Sequence, residues 1–443
     1  MSVFLSLLPP AIVIFLAIKT KKAFESMIIG TLFGFILLYG LHAIPEFSYS
    51  ILSQMVDPGL SWVILFSMLI GGLMGLIDAV RASSAFTRFA LKFAKNEKKT
   101  FLTTLLLAIV VYPDEYLRGM TLNTAMTGIY KNNRIPKEML TFSMSALGVP
   151  LVTIIPATTW AVYFSGLLEG AGMAETGEGF ASYLHVIPFS FYPIVMVLIY
   201  LLAVVGVFPK LGNIRKAYLA IKEGTYDFDS YVVPEDDGSV ANLWDFLIPL
   251  AVVIVTSILF GNDMLAGITC GLLVAYILYT VKKYITVEEA TRSFWQGAKD
   301  MVVPMAIIVV SYALAEVMDL LGFGEVVYML KPYIIPQILP ALAFIISCLL
   351  SYYTSEFWGM AAILLPAMLP LAMEFDVNLW LYAAAVFGGS VFGSHTCVYG
   401  DYNALLAECT DSSQVDVAMT NTPYALIAAG ISLVGYIVFG FIL

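Results

Sequence analysis

The sequence has few charged residues. Asp, Glu, Lys and Arg make up 12% of its 443 residues, whereas a soluble domain carries about 25%. Hydrophobic residues make up 60% of the chain, and the mean hydropathy is +0.89. This composition excludes an ordinary soluble protein and a nucleic-acid-binding protein. It predicts an all-α integral membrane protein whose main partner is the lipid bilayer, which it crosses many times.

Cysteine is also scarce, and the familiar catalytic motifs are absent. The four cysteines form no C-x-x-C pair, which excludes a disulfide framework and a zinc site. No H-E-x-x-H, P-loop or nucleophile-elbow motif occurs, so we predict no enzymatic activity, no ATP coupling and no cofactor. The sequences YPD and VYGD leave an intramembrane aspartyl protease as a remote alternative, although the glycine that this motif needs is Val398.

Apolar runs near the ~20 residues that cross a bilayer recur along the whole chain. Two longer apolar regions, 100 to 130 and 333 to 373, are interrupted by YPDEYLRG and SYYTSEFWG, which predicts a re-entrant hairpin or broken helix in each. Ten further runs are predicted spans: residues 3 to 18, 25 to 43, 60 to 80, 138 to 165, 184 to 207, 243 to 260, 264 to 281, 300 to 321, 378 to 400 and 421 to 443.

The basic residues favour one topology. If both hairpins return to the side they came from, all of the 22 Lys and Arg residues except Arg118 and Lys331 fall on the cytoplasmic side, as the positive-inside rule requires. Both termini are then outside the cell membrane. A channel remains an alternative for such a topology, but the predicted repeats favour a transporter that works by alternating access.

The order of predicted elements repeats. Residues 1 to 207 and residues 243 to 443 each hold three spans, a hairpin and two spans, and residues 208 to 242 form a polar cytoplasmic linker. Five spans per half place the second half upside down. We therefore predict two inverted-topology repeats of five transmembrane helices each, with one re-entrant hairpin and one broken helix per repeat. This is an architecture of secondary transporters.

The first hairpin carries charges at membrane depth, where an ionised group costs from about 2.5 to over 10 kcal/mol. Asp114 and Glu115 follow Pro113, which tends to break a helix and free its carbonyl groups. Carboxylates, with the side-chain oxygens of Thr121 and Asn123, are ligands that a hard cation such as sodium prefers. We interpret the acid pair as an ion-binding site.

Two later crossings also contain breaks. Pro150 and Pro156 interrupt the run GVPLVTIIPATTWAVY, and the counterpart FGGSVFGSHTCVYGDYN predicts an unwound crossing because it is rich in glycine and polar residues. Asp401 is a further candidate sodium ligand. The candidate binding residues in these two runs and in the second hairpin are Thr158, Thr159, Glu356, His395, Asp401 and Asn403.

With YPDEYLRGMTLNTAM, IPKEMLTF, PATTWAVYF, GGSVFGSHTCVYGDYNALLAE and TNTPYAL, the chain resembles the NhaC-type sodium/proton antiporter family across both halves. The family's acid pair before an aromatic is matched by residues 114 to 116, and its glycine-rich stretch with a histidine and a later Asp is matched by Gly393, His395 and Asp401. The resemblance implies a bacterial or archaeal plasma-membrane secondary transporter. A homodimer rests on this analogy alone.

The sequence departs from the family pattern at four positions. Ser394 replaces the acid before the histidine, the second acid of the pair is Glu115, Glu356 is gained, and Arg118 stands where a small polar residue is expected. Arg118 either pairs with the acids or binds a carboxylate substrate through two parallel hydrogen bonds. We predict sodium/proton antiport, with protons and sodium competing for the acid pair. The alternative is sodium- or proton-coupled transport of a small organic acid or amino acid.

Overall fold

The computed structural model describes residues 3–20, 22–56, 58–81, 90, 92–156, 158–175, 177–233, 241–260, 263–322, 335–354, 357–375, 377–398 and 400–443. The secondary structure of these residues is helical, and they contain no β-strand. Helices suit a chain in lipid because each helix satisfies its own backbone hydrogen-bonding groups. The predicted all-α class is confirmed for this part of the chain.

The helices follow one another through two halves and a connecting segment. Those of the first half are α1 (Leu8–Thr20), α2 (Ala23–Tyr39), α3 (Ala43–Met55), α4 (Pro58–Ala79), α5 (Glu97–Val110), α6 (Glu115–Asn132), α7 (Lys137–Leu147), α8 (Val149–Ile154), α9 (Thr159–Gly170), α10 (Gly179–Val186) and α11 (Phe191–Val204). The connecting segment contains α12 (Gly212–Glu223). Those of the second half are α13 (Leu243–Leu259), α14 (Met264–Val281), α15 (Val287–Asp300), α16 (Val302–Leu320), α17 (Leu339–Thr354), α18 (Phe357–Glu374), α19 (Leu379–Thr396), α20 (Asp401–Cys409) and α21 (Gln414–Ile442).

The helices confirm a multi-pass membrane protein. Within the described residues, 7 helices are long and apolar enough to cross a bilayer, or up to 9 if each of two bent pairs is one span. The bent pairs are Lys137–Ile154 with Thr159–Gly170, at 46°, and Gly179–Phe189 with Phe191–Val204, at 52°. The exact number of spans, the inverted orientation of the halves and the location of the termini stay predictions.

The first predicted hairpin folds back on itself. The break between α5 and α6 contains Pro113, and the start of α5 lies beside the end of α6. The ring centroids of Phe101 and Tyr130 are 5.9 Å apart, and Asn133 Nδ2 donates a hydrogen bond of 2.9 Å to the carbonyl of Ala94. Both ends of this segment therefore lie on the same side of the molecule, as a re-entrant hairpin requires.

The second predicted hairpin differs from the first. Its helices α17 and α18 pack against each other and against α19. The segments Pro336–Tyr353 and Phe357–Glu374 are each long and apolar enough to cross a membrane alone. Residues 355 and 356, which include the candidate Glu356, lie outside the described residues. Whether this pair is re-entrant therefore stays a prediction.

The two halves share one packed interior. Helix α2 packs against α16, α4 packs against α15, and α11 packs against α21. The connecting segment also takes part, because α12 packs against α7 and α21. The backbone N–H of Leu211 donates to the hydroxyl of Tyr424 at 2.8 Å, and the hydroxyl of Tyr231 donates to the carbonyl of Ile135 at 2.6 Å. The predicted linker therefore folds onto the helical bundle.

Candidate functional site

Asp114 lies in the turn between α5 and α6 and caps α6. Its Oδ1 atom accepts hydrogen bonds from the backbone N–H groups of Tyr116, at 2.8 Å, and Leu117, at 3.0 Å. An Asp at this position satisfies amides that have no partner within the helix, and the helix N-terminus stabilises a negative charge. The sequence PDEYL thus places a carboxylate at the turn of the hairpin.

The unwound segment before α9 contacts the same turn. The backbone N–H of Thr159 donates to the carbonyl of Pro113 at 3.0 Å, and its hydroxyl lies 3.4 Å from Asp114 Oδ2. The hydroxyl of Thr158 caps α9 and donates to the carbonyl of Val152 at 2.6 Å. The structure therefore brings Thr159 to Asp114, whereas the hydroxyl of Thr158 bonds to the backbone of α8.

Asp114 lines a cavity of about 620 Å³. Helices α4, α6, α15, α16 and α18 contribute its walls. Tyr116 and Trp358 place aromatic rings on the wall, and Asp78 and Asp300 add two further carboxylates. The acid predicted to bind a cation is therefore accessible to a small solute.

Glu115 occupies a different environment from Asp114. It is the first residue of α6 and is fully buried, with 0% of its surface exposed. Arg118, one turn later, attracts both Glu115 and Asp114 electrostatically. The acid pair thus consists of one carboxylate on the cavity wall and one in the interior, and both are within the field of a single cation.

Arg118 is 0% exposed, and its guanidinium donates to four backbone carbonyl groups. Nε donates to Val111 at 2.9 Å, and Nη2 donates to Tyr112 at 2.9 Å. Nη1 donates to Leu147 at 2.9 Å and to Gly148 at 2.5 Å. The side chain ties the turn of the first hairpin to the end of α7, a role that the sequence did not predict.

The second broken crossing unwinds later than the sequence predicts. Helix α19 runs without interruption through Gly388, Gly389 and Gly393 and ends at Thr396, and the next helix begins at Asp401. At Gly389 an added Cβ atom would lie 2.5 Å from the Cβ of Ser347, and at Gly393 it would lie 2.7 Å from the Cβ of Ser351, so α17 packs closely against both glycines. The glycine-rich sequence therefore marks a close helix–helix contact, and the helix ends only after these glycines.

The remaining candidates lie away from this cavity. His395 is buried between two partners, because Nδ1 lies 3.0 Å from the hydroxyl of Tyr192 and Nε2 lies 3.2 Å from the carbonyl of Ser145. Asn403 donates from Nδ2 to the carbonyl of Cys397 at 2.8 Å. Its Oδ1 atom has no hydrogen-bond partner among the described residues.

Thr121 and Asn123 follow the acid pair on α6. The hydroxyl of Thr121 is buried without a hydrogen-bond partner in the described part of the chain, and Asn123 Oδ1 accepts from Thr127 at 2.7 Å. Asp401 begins α20, but its side chain lies outside the described residues. No group of three or more His, Cys, Asp or Glu side chains that could hold a metal ion occurs among those described.

Sequence reasoning missed Asp300 and Trp358. Asp300 stands beside Lys299, and the sequence places both near the cytoplasmic surface. The detectable signal is a polar stripe at helical spacing, since Ser293, Gln296 and Asp300 lie on the face of α15 that lines the cavity. No comparable signal identifies Trp358, because an aromatic residue in an apolar helix is usually part of the core.

Comparisons with known proteins agree with this fold. Residues 151–441 match the model of the Na+/H+ antiporter family. An uncharacterized protein of Haemophilus influenzae is 21% identical over an alignment of 477 residues, gaps included. The alignment covers 98% of this chain and 91% of that protein.

Two solved structures share the fold at low sequence identity. The YdaH transporter of Alcanivorax borkumensis superimposes with a TM-score of 0.62 at 11% identity, covering 91% of this chain and 90% of that chain. MtrF of Neisseria gonorrhoeae, from a class described as antimetabolite efflux pumps, has a TM-score of 0.60 at 12% identity and covers 92% and 86%. From the family match over most of its length, this chain belongs to the Na+/H+ antiporter family of secondary membrane transporters.

Proposed function

We propose that the protein exchanges sodium for protons at Asp114 and Glu115. The observation that supports this proposal most directly is the position of Asp114. Its carboxylate stands at the turn of a broken hairpin and lines a cavity of about 620 Å³. The hydroxyl of Thr159, 3.4 Å from Oδ2, adds an oxygen ligand of the kind that sodium prefers.

The exchange follows from competition for one carboxylate. Removal from water favours the neutral, protonated form of a carboxylic acid, whereas a bound cation favours the ionised form. Sodium and a proton therefore displace each other at the same oxygen atoms. When the two halves rock so that the site opens to either side alternately, this competition becomes antiport across the membrane.

The contacts of Arg118 favour ion exchange over transport of an organic acid. That alternative needs a guanidinium group free to bind a carboxylate from the substrate. In this structure the guanidinium donates to four backbone carbonyls, and the hydroxyl of Thr158 donates to Val152. Two side chains that were expected to contact an organic acid, Arg118 and Thr158, therefore already form hydrogen bonds within the protein.

The test is sodium-driven proton movement in liposomes that contain a trapped pH dye. Asn caps a helix about as well as Asp, so Asp114→Asn removes the charge and keeps the cap on α6. We expect it to abolish sodium-driven proton movement while the melting temperature stays near that of the wild type. Glu115→Gln is expected to abolish it as well, because the proposal assigns the exchange to both acids.

The matched control is Asp263→Asn. Asp263 caps α14 with the same geometry, because Oδ1 accepts from the N–H groups of Leu265, at 2.9 Å, and Ala266, at 3.0 Å. It is exposed and does not line the cavity, so exchange should persist. Proton movement that survives in Asp114→Asn, or that is absent from the folded wild type, would contradict the proposal.

A further inference from the structure

The cavity beside Asp114 is larger and less polar than a sodium site requires. A volume of about 620 Å³ lies in the range of sites that hold organic ligands, roughly 300 to 1,000 Å³. Met74, Met120 and Met301 contribute thioether groups to its walls, together with the rings of Tyr116 and Trp358. Methionine-rich walls adapt to ligands of different shape. The cavity therefore has the size and the apolar surface for an organic solute.

The charges on the wall have one sign. Asp78, Asp114 and Asp300 line the cavity, and none of its described lining residues is Lys, Arg or His. Arg81 attracts Asp78 but does not line the cavity. Arg118 likewise attracts Asp114 from outside the cavity wall. On the wall itself an anion would meet three carboxylates, whereas a cation would be attracted by each of them.

Asp300 is exposed and lines the cavity beside α4. Helices α4 and α15 cross closely where Gly71 meets Gly297, since a Cβ atom on Gly71 would lie 2.5 Å from the carbonyl oxygen of Gly297. Gly71 is well inside α4 (Pro58–Ala79), and Asp300 follows Gly297 by nearly one turn. The carboxylate of Asp300 accepts a hydrogen bond of 3.4 Å from Gln296 Nε2 and is exposed, so a ligand in the cavity can reach it.

We propose that this cavity binds an organic ammonium ion with an apolar body. The carboxylates of Asp114 and Asp300 receive the positive end of the ligand. Tyr116 and Trp358 supply ring faces that attract an ammonium group, and the methionines cover its hydrocarbon part. This inference rests on the proposed function because Asp114 is common to both, so sodium should compete with the amine.

The test is equilibrium binding to the purified full-length protein without any ion gradient. Three probes share a ring and differ in charge: benzylamine, benzyl alcohol and benzoate. We expect saturable binding of benzylamine, binding of benzyl alcohol weaker by about tenfold, and no saturable binding of benzoate. Sodium should weaken the binding of benzylamine. Equal affinity for the three probes, or no saturable binding of benzylamine, would overturn the proposal.

Variants of Asp300 test whether benzylamine binds in this cavity. Asp300→Asn should weaken benzylamine binding about threefold to fivefold, and Asp300→Glu should restore most of the affinity. Glu288→Gln is the matched control, since it removes the same charge from an exposed position on α15 that does not line the cavity. If Asp300→Asn and Glu288→Gln bind alike, the assignment is wrong. Exchange in liposomes is measured separately, so its failure does not depend on the amine result.

Discussion

The two hairpin regions bury different chemistry. In the first, a charged side chain is enclosed, and Arg118 donates to carbonyls on both sides of it. In the second, small side chains meet glycines, because Ser347 donates to the carbonyl of Val386 at 2.7 Å and Ser351 donates to that of Gly389 at 2.9 Å. The first region is held by charge-assisted hydrogen bonds, and the second by close packing of helices.

The difference follows from where the helices are broken. A broken helix leaves carbonyl groups without intrahelical partners, and these groups can solvate a buried cation in place of water. The turn after α5 and the end of α7 provide such groups for Arg118. Helix α19 is intact at its glycines, so its carbonyls already have intrahelical partners, and those of Val386 and Gly389 accept further bonds from neutral serine hydroxyls rather than from a cation. Broken helices can thus hold a buried charged side chain, whereas an intact helix with glycines allows a neighbouring helix to pack closely against it.

The largest loss of stability is expected when the guanidinium group of Arg118 is removed from the first region. Arg118→Met keeps an apolar stem but removes the guanidinium donor from four backbone carbonyls, of which that of Gly148 also accepts from the N–H of Val152 at 3.5 Å. Because each unsatisfied buried group is costly, we expect the free energy of unfolding to fall by about 3 to 5 kcal/mol. Titration with sodium dodecyl sulfate in mixed micelles measures this change.

A conservative variant separates charge from geometry. Arg118→Lys keeps the charge but offers a compact ammonium group that cannot reach four acceptors in the fork geometry of Arg. Its stability should fall between that of the wild type and that of Arg118→Met. If Arg118→Met were as stable as the wild type, the hydrogen bonds to the carbonyls would not hold the first region together.

A smaller effect is expected when the packing of the second region is disturbed. The added Cβ atom of Gly393→Ala would lie 2.7 Å from the Cβ and carbonyl oxygen of Ser351, so α17 and α19 must move apart. Overpacking of this kind costs about 1 to 3 kcal/mol. Gly430→Ala on α21 is the control, because its added Cβ atom meets nothing within 4 Å. Equal stability of both variants would show that α17 and α19 can move apart at little cost in free energy.

The sequence predicts the fold class well because the bilayer imposes it. Low charge and long apolar runs are sufficient to indicate a helical membrane protein. The break at Pro113 is also predictable, since proline removes a backbone donor, and the carboxylate of Asp114 is found at that break. The bend of the crossing between α7 and α9 follows in the same way from Pro150 and Pro156.

Long-range partners are what sequence patterns do not reveal. Nothing near Arg118 in the chain shows that Leu147 and Gly148, on another helix, will accept its hydrogen bonds. Nothing near Gly389 in the chain shows that Ser347 of α17 will lie against it, where an added Cβ atom would be 2.5 Å from the Cβ of Ser347. Glycine permits both an unwound backbone and a close helix contact, and only the neighbouring helix decides between them. Asp300 enters the cavity for a similar reason, because α15 crosses α4.

The smallest effect concerns a single hydroxyl group of the second region. Ser351→Ala removes the bond from α17 to Gly389 on α19 while keeping the small size that the contact needs. We expect a loss of about 0.5 to 1 kcal/mol, measured by the same titration. Ser48→Ala is the control, because Ser48 is exposed and donates to the carbonyl of Ile44 in its own helix. A loss of stability no larger than that of the control would show that close packing alone holds α17 to α19. The second region would then differ from the first in needing no side-chain hydrogen bond between its helices.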